Sequence, residues 1–227
     1  RVYLIDRSLA KMDDFHLNPG RLRGAKNAKV KTPQPPGRLV CLDAASGKTV
    51  WETDRNIFGT LLALSEEQNV LLMTYQHTRF RLNSELGGRM AAFSADKGKP
   101  LWNIEADYMT RPIINNQTIY AQPGAWNLLT GERLPFKFNR SYGCGILAGS
   151  RHMLVFRSAT LGYFDLDGAK TTVNYGGIRP GCWINAIPAG GLVLMADAAS
   201  WCQCSYLNQA TIALRPVGDT AEKAGKP

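Results

Sequence analysis

The chain has 227 residues, 44% of them hydrophobic and 20% charged, with 27 basic and 18 acidic side chains for a formal net charge of +9. This balance excludes a disordered or collagen-like chain. The longest apolar runs, such as 70–73 and 191–195, fall far short of the ~18 residues needed to span a membrane as a helix.

In chain order, the sequence opens at Arg1 directly on an apolar stretch, 2–5, with no leader pattern before it. The expectation is a domain of a longer polypeptide whose targeting signal lies elsewhere. Segment 11–38 follows, with Lys11, Arg21, Arg23, Lys26, Lys29, Lys31 and Arg38 against Asp13 and Asp14. More than half of the net charge therefore sits in this one stretch. Its prolines at 19, 33, 35 and 36 and glycines at 20, 24 and 37 predict a loop insertion between two strands. Short runs rich in Val, Ile, Leu, Phe and Tyr, bounded by Gly, Pro, Asn and Asp, then recur at 39–42, 70–74, 119–121, 154–157 and 192–195. Helical periodicity is nearly absent, so the chain reads as all-β. Residues 216–227 are polar and proline-flanked, the pattern of a tail or linker.

The strands repeat. Residues 60–62 with 70–72, 112–114 with 118–120, 144–146 with 153–156, and 182–184 with 191–194 read as four copies of one hairpin, the last two at an offset of 38. A second hairpin alternates with it: GRLVCLDAASGKTVW at 37–51 is echoed by GRMAAFSADKGKPLW at 88–102 and more weakly at 125–131 and 162–168. Glycine supplies the positive φ of each turn, and the closing tryptophans, Trp51 and Trp102, offer apolar plates for docking between neighbouring sheets. Two hairpins per period give four antiparallel strands, which is a β-propeller blade. Residues 1–215 thus predict a partial propeller of about four and a half blades.

Leu42-Asp43 through Ser46-Gly47 to Trp51 resembles the signature of the pyrroloquinoline-quinone-like (PQQ-like) propeller repeat. The second copy departs from it at Phe93-Ser94, and the later copies lack the tryptophan. The stretch from Arg140-Ser-Tyr-Gly-Cys144 to Cys202-Gln-Cys-Ser-Tyr206 is similar to PQQ-like propellers of bacterial secreted or envelope proteins. That resemblance implies an extracytoplasmic setting.

Of five cysteines, Cys41 alternates with Leu39 in an apolar strand and reads as a core thiol. Cys202 and Cys204 share one side of an extended chain, so each is expected to pair with a different partner, Cys144 or Cys182, in either of two connectivities. The rival, a four-cysteine zinc site, lacks the usual ligand spacing. His16, His77 and His152 form no metal-spaced pair, and no hydrolase or nucleotide motif occurs. Quinoprotein enzymes of the resembled family carry an adjacent cysteine pair over the cofactor; this chain has none. Accordingly no catalytic residue, metal or cofactor is expected.

What remains is binding. Strands leading into the loops place Arg157, Arg179, Trp183, Asn185, Tyr206 and Asn208 near the late cysteines, where arginine and aromatic groups can hold carboxylates, phosphates or sugars. Arg21, Arg23, Lys26, Lys29 and Lys31 form a second candidate, for an anionic partner or polymer such as a glycan. Nucleic acid is disfavoured because no aromatic residues interleave the charges for stacking. The expected function is a non-catalytic interaction or scaffold module that binds other parts of a larger assembly. The alternative is a fragment of a quinoprotein-like oxidoreductase.

Overall fold

A computed structural model describes residues 1–8, 37–75, 88–141, 143, 146–168, 171–181, 186–197, 204–205 and 208–215. No helix occurs among them; they form five antiparallel sheets in which strands neighbour each other in sequence order. The chain divides into two compact units, 1–137 and 138–227.

The first unit holds three sheets. The first contains β1 (Val2–Arg7), β2 (Gly37–Leu42) and β3 (Thr49–Thr53). The second contains β4 (Leu61–Ser65), β5 (Val70–Thr74), β6 (Arg89–Ser94) and β7 (Pro100–Glu105). The third contains β8 (Ile113–Asn115), β9 (Thr118–Ala121), β10 (Gly124–Asn127) and β11 (Arg133–Leu134). Burial follows position in the sheet. Strand β5, VLLMT, is buried at every residue because a sheet covers each of its faces, whereas the outermost β7 alternates exposed and half-buried residues. Leu71 and Met73 face the first sheet among Leu39, Phe58 and Phe93. Val70 and Leu72 face the third, among Met90, Ile119, Ala121 and Trp126. Each fully buried large side chain of this kind contributes roughly 1.5–3 kcal/mol, so these two layers are what hold the unit together.

The second unit holds two sheets: β12 (Ala148–Gly149), β13 (Met153–Ser158), β14 (Thr160–Asp165) and β15 (Thr172–Tyr175), then β16 (Ala186–Ala189), β17 (Leu192–Met195) and β18 (Ile212–Leu214). Phe138 and Phe164 pack with Phe156 on one face of the four-stranded sheet. On its other face Val155 and Leu161 meet Ala186 and Met195 of the last sheet.

The strand expected at 144–146 falls on residues of which only Ile146 is described, and it lies outside any strand; β12 stands at Ala148–Gly149, immediately before a tight turn closed by Ser150 N–H on Met153 C=O. In the last sheet the expected 182–184 lies outside the described residues, and β16 occupies Ala186–Ala189. Its two-residue turn is Gly190-Gly191, both at positive φ (58° and 74°), so Gly191 turns the chain instead of starting the next strand. The pairing Ala148↔Val155 corresponds to Ile187↔Leu194, so the structural offset between these hairpins is 39, one more than letter matching suggests. A slip of one residue exchanges the faces of every side chain.

Candidate functional site

The turn joining the two outer strands is built alike in successive sheets. Asp43 Oδ1 accepts from the Ser46 N–H at 2.8 Å and the Ser46 hydroxyl at 2.7 Å, which holds its carboxyl below the usual range. Asn127 Oδ1 does the same for the Leu129 and Thr130 N–H groups, and Asp165 Oδ1 for those of Asp167 and Gly168. These are side-chain mimics of a turn, the reason Asp and Asn stand at this place. Gly47, Gly98 and Gly131 supply the positive φ that follows.

Onto this turn comes the tryptophan of the preceding sheet. Trp51 Nε1–H donates to the Ala95 carbonyl at 3.0 Å, and Trp102 Nε1–H to the Leu128 carbonyl at 2.9 Å. Ala95 and Leu128 are equivalent residues, each directly after the turn's first polar side chain, Ser94 or Asn127. Their own N–H groups donate to the inner-hairpin turn of the same sheet, at Asn69 and Gln117, and in the second unit Leu166 N–H donates to His152 likewise. Asn69 and Asp96 add a reciprocal pair of hydrogen bonds of 2.8 and 3.0 Å, and the Asn69 amide holds the Asp96 carboxyl below its usual range. The tryptophan thus grips a point where both hairpins of the next sheet are tied. In the third sheet Pro135 stands eight residues after Asn127, where the first two have tryptophan.

Repeated four-stranded meanders, docked face to face through the outer turns, decide the architecture. The sheets are propeller blades. No family model and no curated protein matches the chain. Solved structures do. The WD40 domain of Neurospora crassa Pan2 is similar at a TM-score of 0.50 and 10% identity, over 71% of this chain and 54% of that one. BamB from Moraxella catarrhalis follows at 0.47 and 14%, over 71% and 50%. The quinohemoprotein alcohol dehydrogenase ADHIIG of Pseudomonas putida HK5 gives 0.45 and 12%, over 72% and 36%. The chain spans about half the length of the first two. At 10% identity the Pan2 likeness speaks to the fold alone, a β-propeller.

The predicted binding residues are placed unevenly. Arg157, on β13, is 1% exposed and Arg179 is 3% exposed, so both side chains lie beneath the surface. Gly143 lies close against the Arg157 backbone, where a Cβ would meet its carbonyl oxygen at 2.6 Å. Asn208 and Cys204 are half-buried. Trp183, Asn185 and Tyr206 lie outside the described residues, as do Cys144, Cys182 and Cys202, on which the disulfide expectation falls. Arg21, Arg23, Lys26, Lys29 and Lys31 lie outside them too. Cys41 is fully buried in β2. His152 contacts Asp167 at an exposed turn, and among the described residues no group of three His, Cys, Asp or Glu side chains could hold a metal.

Sequence reasoning missed two features of the first unit. At one sheet end, Tyr75 and Tyr108 stack with centroids 4.7 Å apart, and the Tyr108 hydroxyl donates to the Arg89 carbonyl at 3.1 Å. The Arg89 guanidinium carbon lies 4.6 Å over the Phe58 ring, and Arg7 donates to the Phe58 carbonyl at 3.4 Å. Phe58 thereby sits between two arginines. The second feature is a cross-strand cluster in the first blade, where Arg38 bridges Asp6 at 2.6 Å and Glu52 at 3.1 Å, raising the Arg38 pKa, chiefly through the hydrogen bond to Asp6. Its echo is Arg89 donating to Asn103 at 3.1 Å, in the equivalent places of the second blade.

Proposed function

We propose that the chain is a non-catalytic interaction module of a larger extracytoplasmic protein, taking an anionic protein or polymer at one end of its first unit. The supporting observation is where the charge leaves the fold. Arg7 pairs with Gly37 in the ladder of β1 and β2, so the connection carrying Arg21, Arg23, Lys26, Lys29 and Lys31 departs from that sheet end. Arg7, Phe58 and Arg89 stand at the same end. A cation held over an aromatic face at the sheet end from which a net-basic segment departs suits carboxylate, sulfate or phosphate groups on a flexible partner. The loops near Cys204 and Asn208 form the second contact region of this reading, with Arg157 and Arg179 as supports beneath it.

Heparin is a suitable polyanionic probe. Replacing Arg21, Arg23, Lys26, Lys29 and Lys31 by Gln is expected to weaken its binding by on the order of tenfold or more at low salt and to flatten the salt dependence. Unchanged affinity and salt slope would show the segment to be solvated surface only. Quinone absorbance in the purified protein would favour the oxidoreductase alternative.

The extracytoplasmic setting is tested by the late cysteines: pairing of all four would belong in an oxidising compartment, while among the described residues no disulfide occurs. Thiol titration of the denatured, unreduced protein is expected to find one reactive group, Cys41; five would argue against that compartment.

A further inference from the structure

The first two blades treat the same arginine differently. The stretches from Gly37 to Trp51 and from Gly88 to Trp102 align without a gap, so Arg89 stands in the second blade where Arg38 stands in the first. Val40 pairs with Leu4 and Glu52, and its equivalent Ala91 pairs with Met73 and Asn103. Asn103 therefore takes the place of Glu52. Tyr75, two residues beyond Met73, takes that of Asp6, two beyond Leu4. Arg38 bridges both of its carboxylates, at 2.6 and 3.1 Å. Arg89 has a phenol and an amide in those places, and among the described residues it makes no ion pair.

What holds Arg89 is neutral. Its side chain donates to Asn103 at 3.1 Å, the guanidinium carbon lies 4.6 Å over the Phe58 ring, and its backbone carbonyl accepts from the Tyr108 hydroxyl at 3.1 Å. Phe58 is fixed in turn from both blades. Arg7 of the first donates to its carbonyl, while Thr60 N–H donates to the Thr74 carbonyl of the second. Gly59 lies so close to that Thr74 oxygen that a Cβ would meet it at 2.0 Å. Glu105 is the exposed ladder partner of Arg89, and no ion pair joins the two. Arg89 is thus a half-buried cation held in one geometry in advance of any ligand.

We propose that Arg89 is the docking point for a carboxylate of an acidic peptide, an Asp or Glu side chain of the partner restoring the pair that Asp6 and Glu52 make with Arg38. The inference rests on the reading of this sheet end as anion-binding, and names the group that enters. The first blade supplies the precedent, because the same strand position there takes two side-chain carboxylates. A guanidinium over a ring face keeps its edge for the parallel N–H···O bonds that a carboxylate accepts, which a lysine ammonium cannot reproduce.

Fluorescence anisotropy of labelled hexaglutamate at low salt tests it. Arg89→Gln is expected to weaken binding at least about fivefold, and Arg89→Lys at least about threefold, since the charge stays and the fork is lost. Asn103→Glu supplies the first blade's carboxylate from within, and it keeps the arginine if Arg89→Gln does not fold. It is expected to weaken binding as Arg89→Gln does, and to add less than about twofold in the Arg89→Gln background, because it acts by occupying Arg89. Full rescue by lysine, additive effects of the two changes, or no measurable binding of hexaglutamate to the wild-type chain overturns the proposal. So does binding of oligogalacturonate in preference to hexaglutamate, which would put the carboxylate on a glycan. Heparin binding that ignores the basic-segment changes removes the underlying reading. Hexaglutamate binding that ignores Arg89→Gln, with heparin still responsive to that segment, removes this inference alone.

Discussion

Trp102→Ala is expected to destabilise the first unit by about 2–4 kcal/mol, read as a lowered urea midpoint at unchanged slope. The indole is half-buried against the layer formed by Leu72, Ile119, Trp126 and Leu128, and its Nε1–H occupies the Leu128 carbonyl. Truncation opens a void between two blades and leaves that carbonyl without its donor. Trp102→Phe separates the two losses. It keeps most of the apolar plate and removes only the hydrogen bond, for an expected cost of about 1–2 kcal/mol. A Trp102→Ala midpoint indistinguishable from wild type would show that the indole merely lies over the next turn.

Gly98→Ala is expected to cost about 2–4 kcal/mol, the sum of positive-φ strain and overpacking. Gly98 sits at φ +64°, and a Cβ there would stand 2.4 Å from Trp51 Cε3. No rotamer relieves both problems, because the ring is held by its bond to Ala95. The decisive measurement is a double-mutant cycle. In a Trp51→Leu background the added methyl should cost only about 1 kcal/mol, the backbone part alone. Equal costs in the two backgrounds would mean that Trp51 does not press on the turn, and the docking account of the tryptophan would fall with it.

The architecture was legible because its signals are local. Gly47, Gly98 and Gly131 announce turns by the φ they must adopt, and the matched spacing from Gly37 to Trp51 and from Gly88 to Trp102 exposes the repeat. What the letters could not yield was register in the second unit. Leu-Val occurs at 154–155 and again at 192–193, an attractive match, yet the pairings equate Leu154 with Val193. The two-residue Gly190-Gly191 turn displaces the strand by one position, and so decides which side of the last blade meets the one before it. The candidate binding residues were harder still. An arginine between loop signals reads alike whether it reaches outward or inward, and Arg157 and Arg179 are both buried. The Phe58–Arg89 and Tyr75–Tyr108 contacts join residues 31 and 33 positions apart, with no motif to announce them.

The tryptophan grip also governs how disturbance travels through the first unit. Each indole reaches the next blade and no farther, at a point where that blade's two hairpins are tied together. Stability then adds up as a row of nearest-neighbour terms, as in a one-dimensional chain of spins. A lesion in the first blade loosens the second through Trp51 and reaches the third only through what the second still transmits.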